Sequence, residues 1–247
     1  MRNFFLHLGK YLAFLATVFE RPQRNSLWGQ QFLKELQKTG LNSVAITVIV
    51  SFFIGAVICI QMSYNIVNPL IPRYLVGLST RDVLLLELSS TVMCIILAGK
   101  VGSNIASEIG SMRVSEQIDA MEMMGVNSAQ FLVLPKVISF MAFMPVLVLL
   151  SMITGILGGA MSITFSANTT MTDYVNGLQF AFEPYYITYS IIKSVFFAFI
   201  ISTVSAYYGY YVEGGAIEVG KASTKTVVSV VILILVADLM LTQLLLS

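Results

Sequence analysis

The chain has 247 residues, of which 57% are hydrophobic and only 11% charged, with a mean hydropathy of +0.83. Soluble domains carry roughly 25% charged residues, so this composition describes an integral membrane protein. A net charge of +1 excludes the basic face that nucleic-acid binding requires, and a single histidine, His7, excludes a histidine triad or a zinc site built by this chain alone.

The N-terminal stretch carries no small-residue cleavage site after its apolar part. Phe4, Phe5, Leu8, Tyr11, Leu12, Leu15 and Phe19 recur at helical spacing. That pattern predicts an amphipathic helix in the membrane interface. Residues 26–39 predict a second, with Leu27, Phe32, Leu33 and Leu36 on its apolar side and Trp28 as a headgroup-level anchor. Packing of this pair on protein rather than lipid fits the same periodicity.

Five spans follow, at about 44–64, 83–99, 137–165, 185–210 and 226–246. A span needs roughly 20 apolar residues, so the second is short and the third must tilt or kink at Pro145. The expected fold is therefore an all-α integral membrane protein. Residues 1–42 form the interfacial helices and residues 43–247 the five-span core of one domain. Cys59 and Cys94 fall inside apolar runs and read as small core residues. Arg2, Lys10, Arg21, Arg24, Lys34 and Lys38 precede the first span. Lys100, Arg113, Lys136, Lys221 and Lys225 fall on the same side, against Arg73 and Arg81 on the other. The positive-inside rule then puts the N-terminus in the cytoplasm and the C-terminus outside it.

Glu87, Lys193 and Asp238 lie within spans. At 1.5 Å per residue, Glu87 and Asp238 sit roughly 20 Å above the cytoplasmic ends of their helices, and Lys193 roughly 27 Å. A central charge costs at least about 2.5–3.5 kcal/mol, so such residues are candidates for function. A structural ion pair between Lys193 and Asp238 is the other reading.

Between spans two and three, residues 99–136 are polar. Ser115–Met124 predicts a short cytoplasmic helix closed by Gly125. Glu116, Asp119 and Glu122 share one face, and Ile118, Met121 and Met124 form an apolar stripe. Interfacial helices usually carry Lys and Arg toward anionic lipid. The acids here favour a basic protein groove, and hence a coupling role. The run from Gly215 to Ala222 nearly spells a phosphate loop, but Ala222 lacks the metal-binding hydroxyl and no strand precedes it. It predicts a short turn, with Lys221 and Lys225 at the membrane surface. No residue pattern supports catalysis. In span three, Gly155 and Gly159, with Ser151 and Gly158 beside them, predict close helix packing, within the chain or between two copies.

The runs Ala98-Gly99-Lys100-Val101-Gly102-Ser103, Glu108-Ile109-Gly110-Ser111-Met112 and Ser115 to Met124 resemble the signature of MlaE/YrbE-type permeases. Ile192-Lys193-Ser194, Tyr208-Gly209-Tyr210, Ala222 to Val227 and Asp238 add to the likeness, which covers about residues 40–245. The resemblance implies the non-catalytic membrane subunit of an ABC transporter that moves phospholipid, in a bacterial inner membrane. It implies a second copy of the chain, a cytoplasmic ATPase holding ATP and magnesium, and a periplasmic MCE-domain protein. No cofactor is implied in this chain. Glu116, Asp119, Met121, Glu122 and Met124 would then couple to the ATPase. The family's lipid pocket lies near span two, where its acid matches Glu87. Leu88, Tyr64 and Tyr74 are the further candidates for that pocket. Here Glu87-Leu88-Ser89-Ser90 stands where the family has Glu-Leu-Gly-Pro. Two rival readings remain open. One is an ion-coupled carrier that uses Glu87, Lys193 and Asp238. The other is a scaffold that transports nothing.

Overall fold

The computed structural model describes residues 2–20, 28–66, 71–165 and 169–246, with side chains from residue 9 in the first stretch and from residue 29 in the second. The expectations for Arg21, Arg24 and Leu27, and for the side chains of Phe4, Phe5, Leu8 and Trp28, fall outside that description. Most of the described residues are helical, with no strand among them. In chain order they form α1 (Arg2–Val18), α2 (Trp28–Glu35), α3 (Asn42–Asn65), α4 (Leu75–Val83), α5 (Met93–Leu97), α6 (Ser103–Val114), α7 (Gln117–Met123), α8 (Ser128–Ile163), α9 (Met171–Gln179), α10 (Tyr185–Tyr210) and α11 (Ala216–Leu246). Wider π-helical turns occupy Leu36–Leu41, Leu84–Val92 and Ala98–Gly102.

Among the described residues, five continuous helices are long and apolar enough to cross a membrane: Gly29–Asn65, Leu75–Val114, Ser128–Ile163, Tyr185–Tyr210 and Ala216–Leu246. The expected number of spans holds, but four of the five are longer than their hydropathy suggests. The second is not short; it runs through 40 residues. Its polar residues do not end the helix, because their hydroxyls bond back to carbonyls one turn earlier. Thr80 does so to Val76 at 2.7 Å, Ser90 to Leu86 at 3.4 Å, and Ser103 to Gly99. Likewise, the helix predicted at 26–39 runs unbroken into the first span. The short turn expected from the near-phosphate loop ends before most of that run. The bend lies at Gly214, at φ 116°, and Gly215, while Gly220, Lys221 and Lys225 lie inside α11.

The chain folds as two compact units. One gathers Met1–Leu41, Ile95–Phe143 and Phe196–Met240; the other gathers Asn42–Cys94, Met144–Val195 and Leu241–Ser247. In the first unit, α1 turns Phe14 and Val18 inward, both fully buried. Phe14 packs among the rings of Tyr207, Tyr210 and Tyr211, with centroids 5.3–5.9 Å away, and the Tyr11 hydroxyl bonds to Thr203 at 2.8 Å. This face of α1 therefore lies on protein, whereas Leu12 and Phe19 stay exposed.

In the second unit, α3 and α8 meet backbone to backbone. A Cβ on Gly55 would fall 1.9 Å from the Gly155 carbonyl oxygen, and one on Gly158 would fall 2.0 Å from that of Phe52. Ser51 donates to Ser151 across the same contact at 2.7 Å. The small-residue motif thus packs within one chain. Arg81, counted on the side opposite the N-terminus, is 2% exposed. Its guanidinium donates to the carbonyls of Leu178 at 2.9 Å and Phe180 at 2.8 Å, and pairs with Asp82 at 2.8 Å. It closes the C-terminal end of α9, where the last carbonyls of a helix lack internal partners.

Candidate functional site

Two clusters, one in each unit, hold most of the residues singled out by sequence. The first surrounds α7. The predicted helix Ser115–Met124 is shorter than expected, because Glu116 takes a left-handed backbone at φ 58° and breaks the chain away from α6. At the other end Gly125, at φ 75°, closes α7 as expected. Its amide bonds to the Glu122 carbonyl at 2.9 Å, and that of Val126 bonds to Met121 at 3.1 Å.

Two of the three acids already have partners inside the chain. Asp119 pairs with Arg113 at 2.7 Å. Glu122 accepts hydrogen bonds from Tyr210 at 2.7 Å and Ser128 at 2.9 Å. These two donors stabilise the carboxylate and hold the Glu122 carboxyl below the usual glutamate range. The acids therefore brace the α6–α7–α8 hairpin. Glu116, on the turn, is exposed. The expected apolar stripe is also redistributed. Ile118 is fully buried, Met121 half-buried and Met124 72% exposed, while Met123, which the stripe omits, is 90% exposed. What α7 presents outward is a methionine pair edged by exposed polar residues. Flexible, polarisable side chains of this kind suit an adaptable protein contact.

The second cluster is centred on Lys193 of α10. Its ammonium is fully buried and lies 3.2 Å from both oxygens of Glu87. It also donates to the hydroxyls of Tyr189 at 3.0 Å and Thr242 at 3.3 Å, and lies 4.8 Å from the Tyr189 ring centroid. Glu87 accepts from Thr91 at 3.0 Å. Glu87 sits in the wide Leu84–Val92 turn, where the helical ladder is loosened. The Leu85 and Leu86 carbonyls of that turn are taken up by Ser190 and Lys193. A buried ammonium needs such a full shell of acceptors. The Glu87 side chain is nonetheless 42% exposed. It can hold Lys193 on one side and face a ligand on the other.

The remaining candidates are more scattered. Leu88 is half-buried beside Glu87 in sequence, and Tyr64 is 72% exposed at the end of α3. Tyr74 precedes α4, with its ring 4.8 Å from that of Phe180. Asp238 is half-buried on α11, in the first unit. Sequence reasoning missed Tyr189, Thr242 and Thr91 around Lys193, and Tyr210 and Ser128 around Glu122. Tyr189 was within reach of the i, i+4 rule. Thr91, four residues after Glu87, was within reach of the same rule, and Ser128 lies six residues from Glu122; Thr242 and Tyr210 come from distant chain positions and leave no local signal.

A family model described as Permease MlaE matches residues 32–244. A probable ABC transporter permease protein of Rickettsia bellii is 34% identical over 241 residues, spanning 96% of this chain and 91% of that one. A probable ABC transporter permease protein of Synechocystis is 31% identical, over 86% of this chain and 80% of that one. A chloroplast protein of Arabidopsis thaliana, named for trigalactosyldiacylglycerol, is 30% identical over 92% of this chain and 64% of its own length.

Proposed function

This chain belongs to the MlaE permease family, as a multi-pass membrane protein of ABC transporter permease type, and from that premise we propose that it is the membrane subunit of an ATP-driven phospholipid transporter. The observation that carries the reading is α7, a short braced helix with a bare methionine pair. Such a helix receives force well. Its ends are fixed by Glu116 and Gly125, and its acids are tied to α6, α8 and α10, so displacement of its outer face moves the hairpin as a body. A separate cytoplasmic ATPase binds ATP and magnesium and grips this face. The transporter works as a pair of permease copies in a bacterial inner membrane. The N-terminus is cytoplasmic and the C-terminus periplasmic, with an MCE-domain protein exchanging lipid on the far side.

A lipid cargo is supported by the Arabidopsis relative, whose name is that of a galactose-bearing glycerolipid. It is supported too by Glu87, a half-exposed carboxylate inside a span, placed to meet a polar headgroup. The chain itself performs no hydrolysis. A carrier driven by ions is the second reading, favoured by the pairing of the buried Lys193 with Glu87 inside a span. It requires transport that follows an imposed proton gradient without ATP.

The test uses the exposed methionines, because substituting them leaves the bracing bonds intact. Burying each in a groove contributes about 1.5–3 kcal/mol. Met123→Asp with Met124→Asp is therefore expected to weaken ATPase attachment by at least ~100-fold. The permease should still insert and fold. Undiminished copurification of the ATPase with this double variant would refute the docking role.

A further inference from the structure

The arms that carry α7 are joined by ions. Lys136 of α8 is 3% exposed. Its ammonium donates to Glu108 of α6 at 2.9 Å and to Glu35 of α2 at 2.6 Å. The second oxygen of Glu108 takes Lys38, in the wide turn after α2, at 2.8 Å. Two cations and two carboxylates balance one another, and all four lie in the same unit. Three separate stretches of chain converge on one buried ammonium. Two of them, α6 and α8, flank α7. The third, α2 with Leu36–Leu41, is the opening part of the helix Gly29–Asn65 that becomes the first span.

Well-packed apolar residues at such a place are often as stabilising as a buried ion network or more so. Stability alone therefore does not account for the ions. Directional, short bonds add something else: they forbid sliding. Apolar faces can shift past one another by small steps, whereas a buried ammonium held between two carboxylates keeps its three elements in one register.

We propose that Lys136 is the positioning residue that links α7 to the segment Trp28–Leu41. With Glu108 it makes α6 and α8 a rigid fork, and with Glu35 it fastens that fork to the start of the first-span helix. Displacement of α7 then reaches residues 28–41 instead of being absorbed within the fork. The link rests on the reading of α7 as the element the ATPase pushes.

Hydrogen exchange on the whole complex in nanodiscs tests it, comparing the nucleotide-free state with the state trapped by ATP and vanadate. In the native complex the trapped state is expected to change amide exchange over both 117–123 and 28–41. In Lys136→Met the change over 117–123 persists and that over 28–41 is lost; Lys136→Arg restores it. If Lys136→Met does not assemble, Glu35→Gln decides, since it leaves the Lys136–Glu108 pair in place. It should lose the 28–41 response alone. A 28–41 response that survives in the assembled variant overturns the link. So does failure of both variants to assemble, which marks the network as a fold support. A native response confined to 117–123 overturns the link and spares the reading of α7. No native response over 117–123 overturns both.

Discussion

Alanine at position 55 should damage this protein far more than alanine at position 155, although only Gly155 belongs to the visible small-residue motif. A Cβ on Gly55 would fall 1.9 Å from the Gly155 carbonyl oxygen. Ordinary contact begins near 3.4 Å, so α3 and α8 must separate locally by 3.4 − 1.9 = 1.5 Å. Neither partner atom can rotate away, because both belong to helix backbones. The Ser51–Ser151 bond of 2.7 Å spans the same contact, and that separation breaks it. Overpacking costs about 1–3 kcal/mol, and an interhelical bond in a membrane protein adds about 0.6 kcal/mol. Gly55→Ala is thus expected to destabilise by about 2–3 kcal/mol. A Cβ on Gly155 instead meets the end of the Leu84 side chain at 3.0 Å and 3.4 Å. That side chain can shift, so Gly155→Ala should cost below about 1 kcal/mol, the lower end of the overpacking range. Denaturation of the purified protein in mild detergent, followed by loss of helical circular dichroism, measures both. Equal midpoints for the two variants would refute this account of the contact.

Two further outcomes follow from the clusters. Glu87→Gln keeps the side-chain volume and an acceptor for Thr91 but removes the charge facing Lys193. It should lower the phospholipid recovered with the purified complex, and unchanged recovery on mass spectrometry removes Glu87 from the lipid route. Glu122 has a lowered folded pKa, so its bracing of α7 is complete above the unfolded glutamate pKa and is lost as pH falls through the lower folded value. The difference in thermal midpoint between the native protein and Glu122→Gln should therefore be present at neutral pH and shrink in acid. A difference independent of pH contradicts the role of Tyr210 and Ser128 as its donors.

Some of this was legible from local chemistry. The span from Tyr185 to Tyr210 is bounded as its hydropathy predicts, and Gly125 closes α7 because only glycine takes that backbone without strain. Span ends failed where polar residues satisfy themselves. Thr80, Ser90 and Ser103 lower the local hydropathy, yet their hydroxyls bond within the helix and leave it unbroken. The acids of α7 were placed correctly on its sequence and differently in space. Periodicity assigns Asp119 and Glu122 to a face, but Arg113 of α6 and Tyr210 of α10 decide that their carboxylates are engaged within the chain.

The sequence by itself determined the class of molecule, the number of spans and the family, because each rests on composition, run length or contiguous motif. Only the tertiary structure decided which charges meet. Lys193 finds Glu87, and Lys136 finds Glu35 and Glu108, across separations of about a hundred residues in two of these three pairs. Hydropathy records only that a buried charge needs a partner. Choosing that partner depends on how helices dock, and docking turns on close approaches such as Gly55 to Gly155, whose geometry no single helix carries.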